Sequence, residues 1–136
     1  MSRSGVPVEL RRAVWERAGG FCEYCRDNER FSPVRFHCEH IIAVQHDGPT
    51  TGENLALACP ACNFRKGPNL TAIDPASGAV VALFQPRLDR WSEHFEFQGG
   101  RIFTKTPAAR ATARLLEFNS PERIAAREFE RQISTR

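Results

Sequence analysis

Four cysteines stand in two C-x-x-C pairs, Cys22/Cys25 and Cys59/Cys62, in a chain of 136 residues. A two-residue spacer lets both thiolates of a pair reach one tetrahedral ion at about 2.3 Å, so two pairs supply the ligands of a closed Zn²⁺ site. The alternative, a set of buried free thiols, does not require such regular pairing. The 33 residues between the pairs, 26 to 58, exceed the usual zinc-finger spacing and leave room for a second function. The stretch from Phe36 to Pro68, FHCEHIIAVQHDGPTTGENLALACPACNFRKGP, carries Glu39-His40, Asn54, Asn63, Arg65 and Lys66. A neutral imidazole with a pKa of about 6.5 is a good base at neutral pH, and a carboxylate with an amide oxygen suits a hard, partly hydrated ion such as Mg²⁺. Cys38 has no paired partner and is read as a small core residue rather than a fifth ligand.

The elements that must position these groups are short. Pro7 to Ala18 predicts a helix with Leu10, Val14 and Ala18 on one side and Trp15 widening that face, and Gly19-Gly20 stops it. Val34 to Ile42 is a strand candidate, Gln45 to Glu53 a crossover loop dense in Gly, Pro, Thr and Asp, and Leu55 to Ala58 a second strand. A helix then begins with Pro60 and ends at Gly67-Pro68. Neighbours on a regular strand face opposite ways, so Glu39 and His40 share a site only if the strand distorts, and Asn54 is the candidate restraint. Lys66 lies one turn beyond Asn63, which favours a phosphate contact, with Arg65 as a weaker candidate.

Downstream, IDPASGAVVALF and the pair HFEF/RIFT read as two hairpins. Thr106-Pro107 opens a helix carrying Ala111, Leu115 and Phe118 on one side, with Asn119 as its end cap, and Ser120-Pro121-Glu122 opens another. In that last helix Ala125, Phe129 and Ile133 form an apolar line, and Arg123, Arg127 and Arg131 a stripe on the other side, read as a solvated face before a nucleic-acid track. His46 and His94 are taken as structural or surface residues, and His37 as either structural or a supporting neighbour of Glu39.

Length predicts one domain, 1–136, with a motif core at 21–68 and hairpins and helices over 69–136. An apolar share of 41% and a charged share of 26% match ordinary globular chains. No apolar run is long enough to span a bilayer, and the N-terminus lacks a secretory h-region, so a cytoplasmic location with reduced thiols is expected. The net charge is +3, and residues 101–136 hold eight Arg/Lys against four Glu. That excess is mild support for a polyanionic partner.

The combination EHI, ENLALAC and CxxCNxxKG closely resembles the HNH endonuclease family over Phe21 to Pro68, and Asp74 to Phe97 resembles the continuation found in a bacterial subgroup. The resemblance implies an α+β chain with a ββα-metal (His-Me finger) core, fastened by a structural four-cysteine zinc site and flanked by helices and small β-hairpins. It implies a metal-dependent endonuclease hydrolysing DNA phosphodiesters, with RNA open as a substrate. His40 falls on the general-base position, Glu39 and Asn63 on ligand positions of a catalytic Mg²⁺ or Mn²⁺, and Asn54 on the residue that ties the crossover loop. Three positions depart from the commonest pattern: Asn63 replaces a histidine, Glu39 replaces Asp or His, and Ala43 stands where proline often follows His-Ile-Ile. The first two keep an oxygen ligand. The competing reading is a zinc-stabilised nucleic-acid-binding module with weak or no nuclease activity.

Overall fold

The computed structural model describes residues 5–134, which fall into two compact units. One comprises the chain up to Asn69 together with Gln85–Leu88, the other Leu70–Phe84 and the chain from Asp89 onward. The architecture is mixed α+β with small hairpins.

The first unit opens with α1 (Val8–Ala18), whose carbonyl end is closed by Gly19 at φ 66°. Val14 is buried, and with Val6, Leu55 and Leu57 it forms an apolar cluster onto which Leu10, Ala18, Phe36 and Cys38 pack. The every-fourth-residue pattern of α1 thus points at a two-stranded antiparallel sheet, β1 (His37–His40) and β2 (Leu55–Ala58). The register pairs Cys38 with Leu57 and His40 with Leu55. The first strand is shorter than the expected Val34–Ile42 because its partner offers only four residues to pair with. Trp15 does not join the buried face; it is 42% exposed. The expected loop 45–53 is bracketed by two 3₁₀ turns, Val44–His46 and Gly52–Asn54. α2 (Pro60–Lys66) follows β2 directly, with proline in its first turn as expected.

The second unit contains hairpin β3 (Thr71–Ile73)/β4 (Val80–Ala82), the short α3 (Trp91–His94), hairpin β5 (Phe95–Gln98)/β6 (Arg101–Thr104), α4 (Pro107–Leu115) and α5 (Pro121–Ser134). Its interior is built on Phe84, Phe95, Ile102, Leu116 and Phe118, with Phe84 edge-on to Phe95 at 5.4 Å. His94 is structural here, its Nδ1 2.6 Å from Thr106 Oγ1. The α3 turn has no counterpart in the sequence reading, because four residues are too few for a helical period to register.

Three expectations about the C-terminal helices are corrected. Leu116, not Leu115, fills the core below α4. Asn119 does not cap that helix; its amide clasps β6, accepting from Ile102 N and donating to Ile102 O, each at 2.8 Å. The orientation of α5 is the reverse of the periodic reading: Phe129 is 64% exposed and Arg127 only 5%. Arg127 donates from Nε to Gly100 O at 2.6 Å and from its terminal nitrogen to Phe118 O, and Arg123 donates to Leu116 O at 2.8 Å. The stripe is neither a solvated face nor a nucleic-acid track at those positions, since the end of α4 and the β5–β6 turn leave carbonyls that need donors, which the guanidinium fork provides.

Arg127→Met is therefore expected to strip two buried carbonyls of their donor and lower unfolding free energy by about 2–4 kcal/mol. Arg131→Met, at an exposed position, should stay within about 0.5 kcal/mol. Urea denaturation of both variants checks this, and equal losses would remove the inward-facing assignment.

Candidate active site

The four sulfurs Cys22, Cys25, Cys59 and Cys62 lie within 4.8 Å of one another, all four residues buried. Cys25 Sγ and Cys59 Sγ are 3.7 Å apart. Tetrahedral Zn–S bonds of about 2.3 Å imply sulfur–sulfur edges of about 3.8 Å, so the cluster has the size of a zinc site. None of the five cysteines is in a disulfide. Backbone amides point at the sulfurs in the manner of two knuckles: Tyr24 N at 3.4 Å and Cys25 N at 3.5 Å from Cys22 Sγ, Cys62 N at 3.4 Å from Cys59 Sγ. Burial pushes the Cys25 and Cys62 thiols up, whereas hydrogen bonds from the neighbouring thiols pull Cys59 well down. Four thiolates in so small a dry volume need a cation, and the donor set fits a structural zinc ion.

Glu39, His40 and Asn63 line one cleft of about 750 Å³, bounded also by Val44 and Pro68. Adjacent residues reach the same cleft because the strand ends at His40 and the chain turns away after it. Asn54 pins that turn: its Oδ1 accepts from Ile42 N at 2.9 Å, and its Nδ2 donates to Ile42 O at 3.0 Å and Pro49 O at 2.8 Å. Three hydrogen bonds thus join Asn54 to Ile42 and Pro49 across the loop. Gly48 completes the fit, since a Cβ there would stand 1.7 Å from Ile42 O. Ala43 sits at φ −60° and ψ 153°, so the position keeps the φ that proline would impose.

The His40 ring is oriented by Thr50, whose Oγ1 lies 2.8 Å from Nε2. Glu39 is 8% exposed, and its Oε2 has no hydrogen-bond partner among the described residues. Burial pushes its carboxyl up to about 7, opposed by the Lys66 ammonium and by the Tyr24 hydroxyl beside it. A buried carboxylate oxygen without a donor, on the wall of a cleft shared with an amide side chain, fits one position of a hard cation's shell.

A pH dependence follows. The folded chain holds the Glu39 proton more tightly than an unfolded chain with its carboxyl near 4.5. Glu39 therefore costs nothing below that value, and its penalty grows as pH rises through about 7. Without divalent ions, wild type should lose up to about 3 kcal/mol relative to Glu39→Gln between those limits. Thermal melts of both proteins across the window measure it, and parallel curves would reject the buried carboxyl as the cause.

Lys66 is not placed to reach a phosphate. It is 2% exposed, its Nζ donates to Ile41 O at 2.8 Å, and burial lowers its pKa against the pull of Glu39. Arg65, one residue earlier, is exposed. Four contributors were not singled out from the sequence: Tyr24 and Glu23 inside the first knuckle, and Gly48 and Thr50 inside the loop. Glu23 is buried, accepts from Leu57 N at 2.9 Å and pairs with Arg87. The only available signal for the first pair was their place at the tip of C-x-x-C, where an acidic residue and an aromatic one have to turn inward or outward together with the knuckle.

Residues 22–69 match the family model described as HNH endonuclease. No curated protein and no solved structure matches the chain.

Proposed function

We propose, from the premise that residues 22–69 form an HNH endonuclease domain, that the protein is an endonuclease hydrolysing phosphodiester bonds of DNA with one divalent ion. The observation that carries this reading is the convergence of Glu39, His40 and Asn63 on one cleft. Glu39 and Asn63 would hold Mg²⁺ or Mn²⁺, which when bound supplies neutralisation of the phosphate and of the departing 3′-oxygen.

The chain's own residues do the rest. Thr50 Oγ1, 2.8 Å from Nε2, orients the His40 imidazole, and in the tautomer whose Nε2 donates to that hydroxyl, Nδ1 is the basic nitrogen that would take a proton from the attacking water. Asn54 keeps the chain after His40 from returning to strand geometry. Lys66 ties the end of α2 to the same turn through Ile41 O, so its role is to position the loop and to moderate the Glu39 carboxyl. A zinc ion in the four-cysteine cluster would fix the start of α2, and Asn63, the residue after Cys62, is thereby delivered to the cleft. Water and a substrate phosphate complete so thinly ligated a site, which favours metal binding in the presence of nucleic acid.

Supercoiled plasmid incubated with the purified protein should be nicked in added Mg²⁺ or Mn²⁺ and remain intact without added divalent ion. Binding to DNA without nicking in any divalent ion would replace this reading by the zinc-stabilised binding module. Cleavage of RNA but not DNA under the same conditions would move the substrate class.

A further inference from the structure

A second groove, of about 900 Å³, runs along α1 in the first unit. Its walls include Trp15, Arg11 and Arg12 from the helix, and Val34 and Arg35 from the segment entering β1. The catalytic assignment uses none of these side chains. Building on the nucleic-acid reading above, we propose that this groove binds an unpaired strand of the substrate, with Trp15 as a base-stacking platform and Arg11, Arg12 and Arg35 as phosphate contacts.

The indole of Trp15 is 42% exposed yet held in place: its Nε1 donates to Glu29 Oε1 at 2.8 Å, and a Cβ on Gly20 would touch the ring at 3.0 Å. An aromatic ring both open to solvent and fixed in orientation makes a stacking surface without the entropy cost of ordering it. Glu29 is also engaged by Phe36 N at 2.8 Å, so this carboxylate braces the groove wall. Arg11, Arg12 and Arg35 are exposed, and none makes an ion pair or side-chain hydrogen bond among the described residues. Three unengaged guanidiniums beside a fixed aromatic ring suit a phosphate backbone with accessible bases.

Placement supplies the second argument. His37 and Cys38 border both this groove and the cleft that holds Glu39 and His40. A strand passing the reacting phosphate therefore has a continuous path along β1 onto Trp15. The occupant is unpaired because stacking needs a free base face, and a duplex offers one only at its ends. The groove would thus favour a frayed, flapped or branched target over uninterrupted duplex.

The chain has two tryptophans, so Trp91→Phe leaves Trp15 as the sole indole reporter. In that background, without added divalent ion, a single-stranded thymidine oligomer of about six nucleotides should quench Trp15 emission saturably, and a blunt duplex of the same length should quench it less. Arg12→Ala/Arg35→Ala should weaken oligomer binding about tenfold and lower the slope of log affinity against log salt by about 1–2. Circular dichroism confirms that this exposed double variant is folded. Absence of quenching, equal quenching by duplex, or unchanged binding by the double variant would overturn the proposal. Quenching without plasmid nicking would leave the groove standing and remove the nuclease assignment, whereas nicking without quenching would remove the groove alone.

Discussion

Cys62→Ser is expected to unfold the first unit. Cys22, Cys25 and Cys62 are each 0% exposed and Cys59 4%, so the sulfurs cannot be hydrated when the ion they fit is lost. A structural zinc site contributes apparent free energies of about 10–16 kcal/mol, as large as the whole stability of about 5–15 kcal/mol that a domain of this size has. The apolar cluster of Val6, Val14, Leu55 and Leu57 is too small to compensate. Zinc content per chain and the cooperative thermal transition should fall together in this variant. Cys38→Ser, at a half-buried position outside the cluster, should retain one zinc and change stability by about 1 kcal/mol. A Cys62→Ser protein that melts like wild type would refute the structural role of the cluster.

His40→Ala should lower the single-turnover nicking rate by about 10²–10⁴-fold while leaving DNA affinity nearly unchanged, because a general base acts in the transition state and contributes little to binding. Thr50→Val, which removes the 2.8 Å contact to Nε2 but keeps the imidazole, should cost less and should shift the pH–rate profile as well as its height. The comparison separates a base from a structural histidine, since a merely structural His40 would show its loss in thermal stability and metal binding rather than in rate. Equal nicking by wild type and His40→Ala would eliminate the base assignment.

Much of the first unit was legible because its chemistry is local. Two C-x-x-C knuckles, a proline after Cys59 and Gly67-Pro68 delimit β2 and α2 without reference to anything distant. Asn54 was readable as a restraint because the residues it had to bend were its neighbours in the motif. Lys66 was misread for a related reason: periodicity gives the side of a helix, but whether that side meets solvent depends on the Ile41 carbonyl 25 residues away, which needs a donor. The same limit reversed α5, where Arg127 of the arginine stripe faces inward because the carbonyls of Gly100 and Phe118 require it. Hydrophobic patterning assumes that apolar means buried, and a unit this small uses guanidiniums as interior braces.

The return of Gln85–Leu88 to the first unit sets a limit on how the nuclease motif can be cut from its context. Arg87 pairs with the buried Glu23 carboxylate in the knuckle of the cysteine cluster, and without it Glu23 would keep the Leu57 amide and, as its cation, Arg17 at 3.9 Å. The matched segment 22–69 also excludes Val6 and Val14, half of the buried apolar cluster. A fragment trimmed to the family boundaries would strand a desolvated charge, a loss of about 3–5 kcal/mol, and expose the sheet that carries His40. The matched segment is contiguous in sequence but shares its buried contacts with α1 and residues 85–88, so a transplanted version is expected to need both.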